Sequence, residues 1–181
     1  MGIFAVTAGL NIAPLIDQFE ANSDDYSIIL VKALADRLAE AFAEYLHYKI
    51  RTEYWAYSQE EANNEAFIAE QYEGIRPAPG YPACPDHTEK LKLFSLLEVS
   101  ERVGLSLTES LAMLPASSIS GFYISHPDSR YFALGNIQED QVIDYATRKN
   151  MPSEEIEKWL RSHLAYEPKT SITKESNKAQ V

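Results

Sequence analysis

Ile3 to Thr7 is a short apolar run halted by Ala8-Gly9, the pattern of a buried strand. A strand this early normally has neighbours on both sides, so further polypeptide upstream is expected. A native edge strand is the alternative. Asn22-Ser23-Asp24-Asp25 marks a helix start, because short polar side chains accept hydrogen bonds from the free N–H groups of a first turn. No Pro or Gly interrupts the chain from Tyr26 to Tyr57. There Leu30, Leu34, Leu38, Phe42, Tyr45 and Leu46 recur at helical spacing, which predicts an apolar stripe turned to the core. About 30 residues at 1.5 Å each give a helix of roughly 45 Å. Asp36, Glu40 and Glu44, four apart, predict a solvated acidic ridge on it.

Asn63 to Gln71 reads as a shorter helix. The segment Gly74-Ile-Arg-Pro-Ala-Pro-Gly-Tyr-Pro-Ala-Cys-Pro85 then carries four prolines in twelve residues, which excludes a helix or a central strand. Proline fixes φ, so this loop is stiff, and a stiff surface loop can hold the geometry of a binding site. Asp86 or Thr88 can cap a helix that runs to about Leu97, and a short turn follows over Val99 to Gly104. Leu107–Met113, Ile119–Ile124 and Tyr131–Gly135 read as strands. The turn sequence at Ser125–Arg130 makes Ile119–Gly135 an expected hairpin. Gln138–Lys149 is helical, and Pro152 opens a further helix to about Leu164. Residues 167–181 are rich in Lys, Ser and Thr and read as a disordered tail after a single domain over 1–166. The predicted fold class is α+β, a mostly antiparallel or mixed twisted sheet with packed helices.

Composition narrows the function. Two Trp, eleven Tyr and seven Phe among 181 residues can build a real core, so a disordered chain is excluded. The net charge of −11 argues against nucleic acid and anionic membranes, both of which reward Lys and Arg. It favours a cationic partner or ligand. One cysteine, Cys84, rules out an internal disulfide and any site needing several thiolates. No apolar run approaches the roughly 20 residues of a membrane span, and a cytoplasmic location is expected.

Metal and thiol chemistry find little support. Cys84, His87 and His126 are scattered, and no phosphate-cradling loop or hydrolase elbow is present, so no catalytic dyad and no metal site are expected. The proline-rich loop instead gathers recognition groups. Arg76 offers a planar donor fork for a carboxylate. Ala78 and Gly80 let backbone approach a ligand closely. Tyr81 and Tyr131 offer aromatic faces that attract cations and stack on flat rings. An amphoteric ligand with a carboxylate, a positive centre and a heteroaromatic ring suits the set. Equally open at this point is an architectural reading in which Arg76 pairs with Glu70 or Glu73 and the tyrosines fill the core.

The run Arg76-Pro-Ala-Pro-Gly-Tyr-Pro-Ala-Cys-Pro-Asp-His-Thr-Glu-Lys90 resembles the signature loop of the activation domain of cobalamin-dependent methionine synthase. So do Asp24-Asp-Tyr26 with Lys32-Ala-Leu-Ala-Asp-Arg-Leu-Ala-Glu-Ala-Phe-Ala-Glu-Tyr-Leu-His47, Leu107-Thr-Glu-Ser110, Gly121-Phe-Tyr-Ile-Ser-His-Pro-Asp-Ser-Arg-Tyr-Phe132 and residues 138–160. The resemblance extends from Gly2 to about Tyr166. It implies a domain that binds S-adenosylmethionine and sits over oxidised cobalamin while flavodoxin or a related reductase supplies an electron. By position, Arg76, Ala78 and Gly80 would contact S-adenosylmethionine, with Tyr81, Tyr131, Phe132 and Glu40 beside it. No catalytic residue and no metal ligand is implied, since reduced cobalt is itself the nucleophile.

The family's complete domain is nearly twice as long, and its front half carries an Asp that holds the ligand's amino group. The chain therefore resembles the C-terminal portion of the domain. Its partners would be the upstream half, the cobalamin domain and flavodoxin, with no nucleic acid and no membrane. It would be part of a methyltransferase and inactive alone. A docking module that binds no ligand and an incomplete fragment are the competing readings. Leu114-Pro-Ala116 and Phe122 depart from the family's Trp-Pro-Gly and Trp.

Overall fold

A computed structural model describes residues 1–59 and 64–168. The expected tail at 167–181 therefore lies almost wholly outside the described residues. The chain forms two compact units, Met1–Ala133 and a second from Leu134 onward.

The first unit is built on one antiparallel pair. Strand β1 (Gly2–Thr7) runs against β4 (Ser118–Tyr123), with Phe4 opposite Gly121 and Val6 opposite Ile119. Side chains alternate across a strand, and the two faces of β1 fill different cores. Phe4 and Val6 meet Ala43, Leu46 and Tyr123 on one side. Ile3 and Ala5 meet Leu93, Phe94, Val99 and Leu105 on the other. The first core is covered by α2 (Asp25–Lys49), the second by α4 (Glu89–Leu97) and α5 (Val99–Val103). Short α1 (Ala13–Ala21) and α3 (Asn64–Ile68), and the two-residue strands β2 (Ser106–Leu107) and β3 (Met113–Leu114), complete the unit. This is an α+β fold, as expected, with antiparallel strands.

Several expectations are corrected. Helix α2 starts where predicted, with the Asp24 carboxylate accepting from the Ser27 N–H at 3.0 Å. It ends at Lys49 and passes into a π-helical turn, Ile50–Tyr54, instead of running to Tyr57. Of its predicted stripe only Leu46 faces the core. Leu30, Leu34, Leu38, Phe42 and Tyr45 are 44–62% exposed, whereas Ala35, Ala39, Ala43 and His47 are buried. Small alanines let the helix backbone lie close on the sheet, so the larger apolar side chains point elsewhere.

No strand forms at Tyr131–Gly135, and the hairpin is absent. The outer edge of β4 is taken by the proline loop: Ile75 and Ile124 exchange N–H···O bonds at 2.9 Å, and the Phe122 N–H donates to the Pro77 carbonyl. The strand expected over Leu107–Met113 is split by a turn in which Leu111 has φ of 60°. Asp86 accepts from the N–H and hydroxyl of Thr88, and Thr88 makes no side-chain cap to α4. Helix α1 has no counterpart in the sequence reading.

The second unit pairs α6 (Glu139–Lys149) with α7 (Ser153–Trp159) around Ile137, Val142, Ala146, Ile156 and Leu160. The Gln138 N–H donates to the Gln141 side chain, closing the start of α6. Helix α7 stops at Trp159 and gives way to a 3-10 turn, Arg161–His163, short of the predicted Leu164. Among the described residues no helix is long and apolar enough to cross a membrane.

Candidate functional site

The proline-rich segment folds into a closed collar. The Gly80 N–H donates to the Cys84 carbonyl at 2.7 Å, and the Cys84 N–H donates back to the Tyr81 carbonyl at 2.8 Å. Two glycines are required here. Gly80 has φ of +101°, and a Cβ on it would stand 2.4 Å from Cε1 of His87. A Cβ on Gly121 would stand 2.6 Å from the Pro77 carbonyl oxygen, so a larger residue in β4 would lift the collar off the sheet. His87 is itself held: its Nδ1 lies 2.9 Å from Nζ of buried Lys90, which also donates to the Leu111 carbonyl. Burial, followed by the charge of Lys90, lowers the pKa of His87.

Three segments distant in sequence meet at one cleft of about 470 Å³ within the first unit. Helix α2 brings Glu40, the collar brings Arg76, Ala78 and Tyr81, and the stretch after β4 brings Tyr131 and Phe132. Of the seven residues expected around a ligand, Gly80 alone does not line the cleft; its part is to shape the turn. Glu70, weighed in the sequence only as a partner for Arg76, lines the cleft too. Tyr81, Tyr131 and Phe132 are 61%, 40% and 59% exposed, so these rings do not fill the core.

Arg76 is anchored from below. Its NH2 lies 2.8 Å from Oε2 of Glu44, which also accepts from the Tyr72 hydroxyl at 3.3 Å. The expected partners Glu70 and Glu73 do not take this place; the carboxylate comes from α2, 32 residues away. Burial disfavours charge on Arg76, but Glu44 outweighs it and raises the pKa. The guanidinium is thus a permanent cation, and part of its side chain stays open on the cleft. The Arg76 backbone N–H donates to the Tyr131 hydroxyl at 2.9 Å, tying the third segment to the collar.

The acidic ridge is solvated in part, as expected: Asp36 and Glu40 are exposed, whereas Glu44 is half-buried. Glu44 holds Arg76, Glu40 lines the cleft, and Asp36 accepts a hydrogen bond from the Ser117 hydroxyl. Two turns beyond Glu44, fully buried Arg51 lies with Cζ 3.8 Å from the Tyr72 ring centre and NH1 3.9 Å from Glu44 Oε1. Between them buried His47 stacks on Tyr123 at 5.2 Å and meets the edge of Tyr72 at 5.3 Å. Burial first, then Arg51 and Arg76, pushes its pKa down to about 3, so its imidazole is neutral. Sequence reasoning missed this floor. Its only signal was the four-, three- and four-residue spacing of Glu40, Glu44, His47 and Arg51 along one flank of a helix.

The other chemistry-bearing groups stay apart. His126 accepts from the Asp128 N–H in an exposed turn, away from Cys84 and His87 in the collar. Among the described residues no three of His, Cys, Asp and Glu are placed to hold a metal ion.

Comparison with known proteins gives two findings. The sequence profile described as vitamin B12 dependent methionine synthase, activation domain, matches residues 1–150. A crystal structure of the MetH reactivation domain bound to AdoHcy superposes with a TM-score of 0.88 at 59% identity, covering 91% of this chain and 51% of that one. The chain thus spans about half the length of the solved domain. A match over residues 1–150, with the collar and the long helix inside it, makes this chain a member of the vitamin B12 dependent methionine synthase activation domain family.

Proposed function

We propose that the cleft binds S-adenosylmethionine and presents its methyl group during reactivation of a cobalamin cofactor carried by another domain of methionine synthase. The observation that carries this reading is the meeting of Arg76, three exposed aromatic rings and two carboxylates, Glu40 and Glu70, at one cleft. The crystallised relative is bound to AdoHcy, the product left when such a methyl group has gone.

Three parts of the ligand have a match. Arg76 receives the ligand carboxylate by a charge-assisted hydrogen bond, and Glu44 keeps the guanidinium aimed while it does so. Tyr81, Tyr131 and Phe132 give flat faces for the adenine. Glu40 and Glu70 supply negative potential for the sulfonium. Cobalamin, when bound by its own domain and reduced by flavodoxin or a similar one-electron donor, supplies the nucleophile. That nucleophile's electron pair would form the new bond to the methyl carbon as the methyl–sulfur pair leaves on sulfur, with S-adenosylhomocysteine left in the cleft. No general acid or base is needed, so the chain's contribution is placement, which can be worth on the order of 7–11 kcal/mol of barrier.

Calorimetric titration with S-adenosylmethionine tests the assignment. Arg76→Ala should weaken binding by roughly 1.5–3 kcal/mol, about 10- to 150-fold. Binding unchanged in Arg76→Ala, or no binding by the parent chain and by the chain completed with the other half of the domain, overturns it.

A further inference from the structure

The outer face of α2 is unfinished. Leu30, Leu34, Leu38 and Phe42 form a single i, i+4 ridge, with Tyr45 beside it, and all five are exposed. Twelve residues at 1.5 Å make this ridge about 18 Å long. A continuous apolar strip of that size on a soluble protein marks an interaction site. Strand β1 is unfinished in the same sense. Its ladder is with β4 alone, and among the described residues no second strand lies along its other side. The far edge of β4, in contrast, is closed by Ile75 and Pro77.

We infer that the leucine ridge of α2 is a docking surface for an apolar helix face in the half of the activation domain that this chain does not span. The occupant follows from three observations. The solved relative shares the fold of the spanned half at 59% identity, and roughly as much polypeptide again lies outside the match. A ridge at i±4n spacing fits the groove between side chains of a second helix, which extended peptide or a charged surface cannot fill as well. The acidic groups of α2 lie off the ridge, where Asp36, Glu40 and Glu44 are engaged with Ser117, the cleft and Arg76. The ridge itself asks for apolar contact. This inference rests on family membership and on exposure, not on the ligand assignment, so either can fail without the other.

The test joins the unmatched half of the solved relative's domain upstream of this chain and compares the chimera with the chain alone. In a Cys84→Ser background, Leu38→Cys should react with a thiol reagent at least about ten-fold more slowly in the chimera. The double substitution Leu34→Asp/Leu38→Asp should lower the melting temperature of the chimera and leave that of the isolated chain unchanged. Equal labelling in the two proteins overturns the inference, whether or not the chimera folds. So does a double substitution that moves neither melting temperature, or moves both alike. If the isolated chain sediments as a dimer that the double substitution dissociates, the occupant is a second copy and the inference fails.

Discussion

The two long faces of α2 differ in a way opposite to their composition. The inner face is alanine, Ala35, Ala39 and Ala43, and is buried; the outer face is leucine and phenylalanine, and is exposed. Apolarity alone does not decide burial. The inner face touches a β-pair whose own large side chains, Phe4, Val6 and Tyr123, already fill the space, so only small residues let the helix approach. The outer face keeps 44–62% of each large side chain exposed. Between the two runs the flank of Glu40, Glu44, His47 and Arg51, where polar groups are held by one another.

Substitutions along this helix break or sharpen the contrast. The largest effect is expected on the polar flank. Glu44→Ala strips the carboxylate from Arg76 and Arg51 at once and should cost about 3 kcal/mol of unfolding free energy in denaturant titration. A loss below about 0.5 kcal/mol would mean the cations find other partners. On the inner face, Ala43→Leu forces extra volume onto the sheet and should cost about 1–3 kcal/mol, read by the same titration. An unaltered midpoint would show that the helix rests more loosely than its alanines imply.

His47 gives a pH signature. Its folded pKa near 3 lies below the value of about 6.5 in an unfolded chain. The unfolded state therefore takes up a proton that the folded state refuses, and stability falls as pH drops from about 6.5 towards 3. His47→Phe keeps a ring on Tyr123 without the titration. Across pH 6 to 4 the parent should lose stability faster than this variant, by up to about 1.4 kcal/mol per pH unit. Parallel curves would show that His47 is protonated in place. The smallest effect belongs to the outer face. Leu38→Ala should change the stability of this chain by less than about 0.5 kcal/mol, since Leu38 is 62% exposed. A drop of the size seen for Ala43→Leu would erase the difference between the faces.

How much of this was legible in the sequence depended on range. The start of α2, β1, the stiffness of the collar and the extent of α6 were readable because each is set by residues a few positions apart. The absent strand at Tyr131–Gly135 was not, because Ile75 and Pro77, distant in sequence, occupy the edge it would have used. The leucine ridge was read inside out, since large apolar residues carry the periodicity signal and alanines carry almost none. At the site, Arg76, Ala78, Tyr81, Tyr131, Phe132 and Glu40 were named in advance and the structure brings them to one cleft. Gly80 falls outside the lining, and Glu44, the anchor of Arg76, had been placed in solvent. A salt link over 32 residues leaves no local trace in sequence.

Helix α2 is a single rod with a guanidinium tethered to one side and an open hydrophobic seam on another. A contact on the seam that tilted the rod would re-aim the tether, and a guest that pulled on the tether would press back on the seam. By thermodynamic reciprocity the two occupancies must help or hinder each other by equal free energies. A binding isotherm measured at the cleft is then also a gauge of what rests against the far side of the helix.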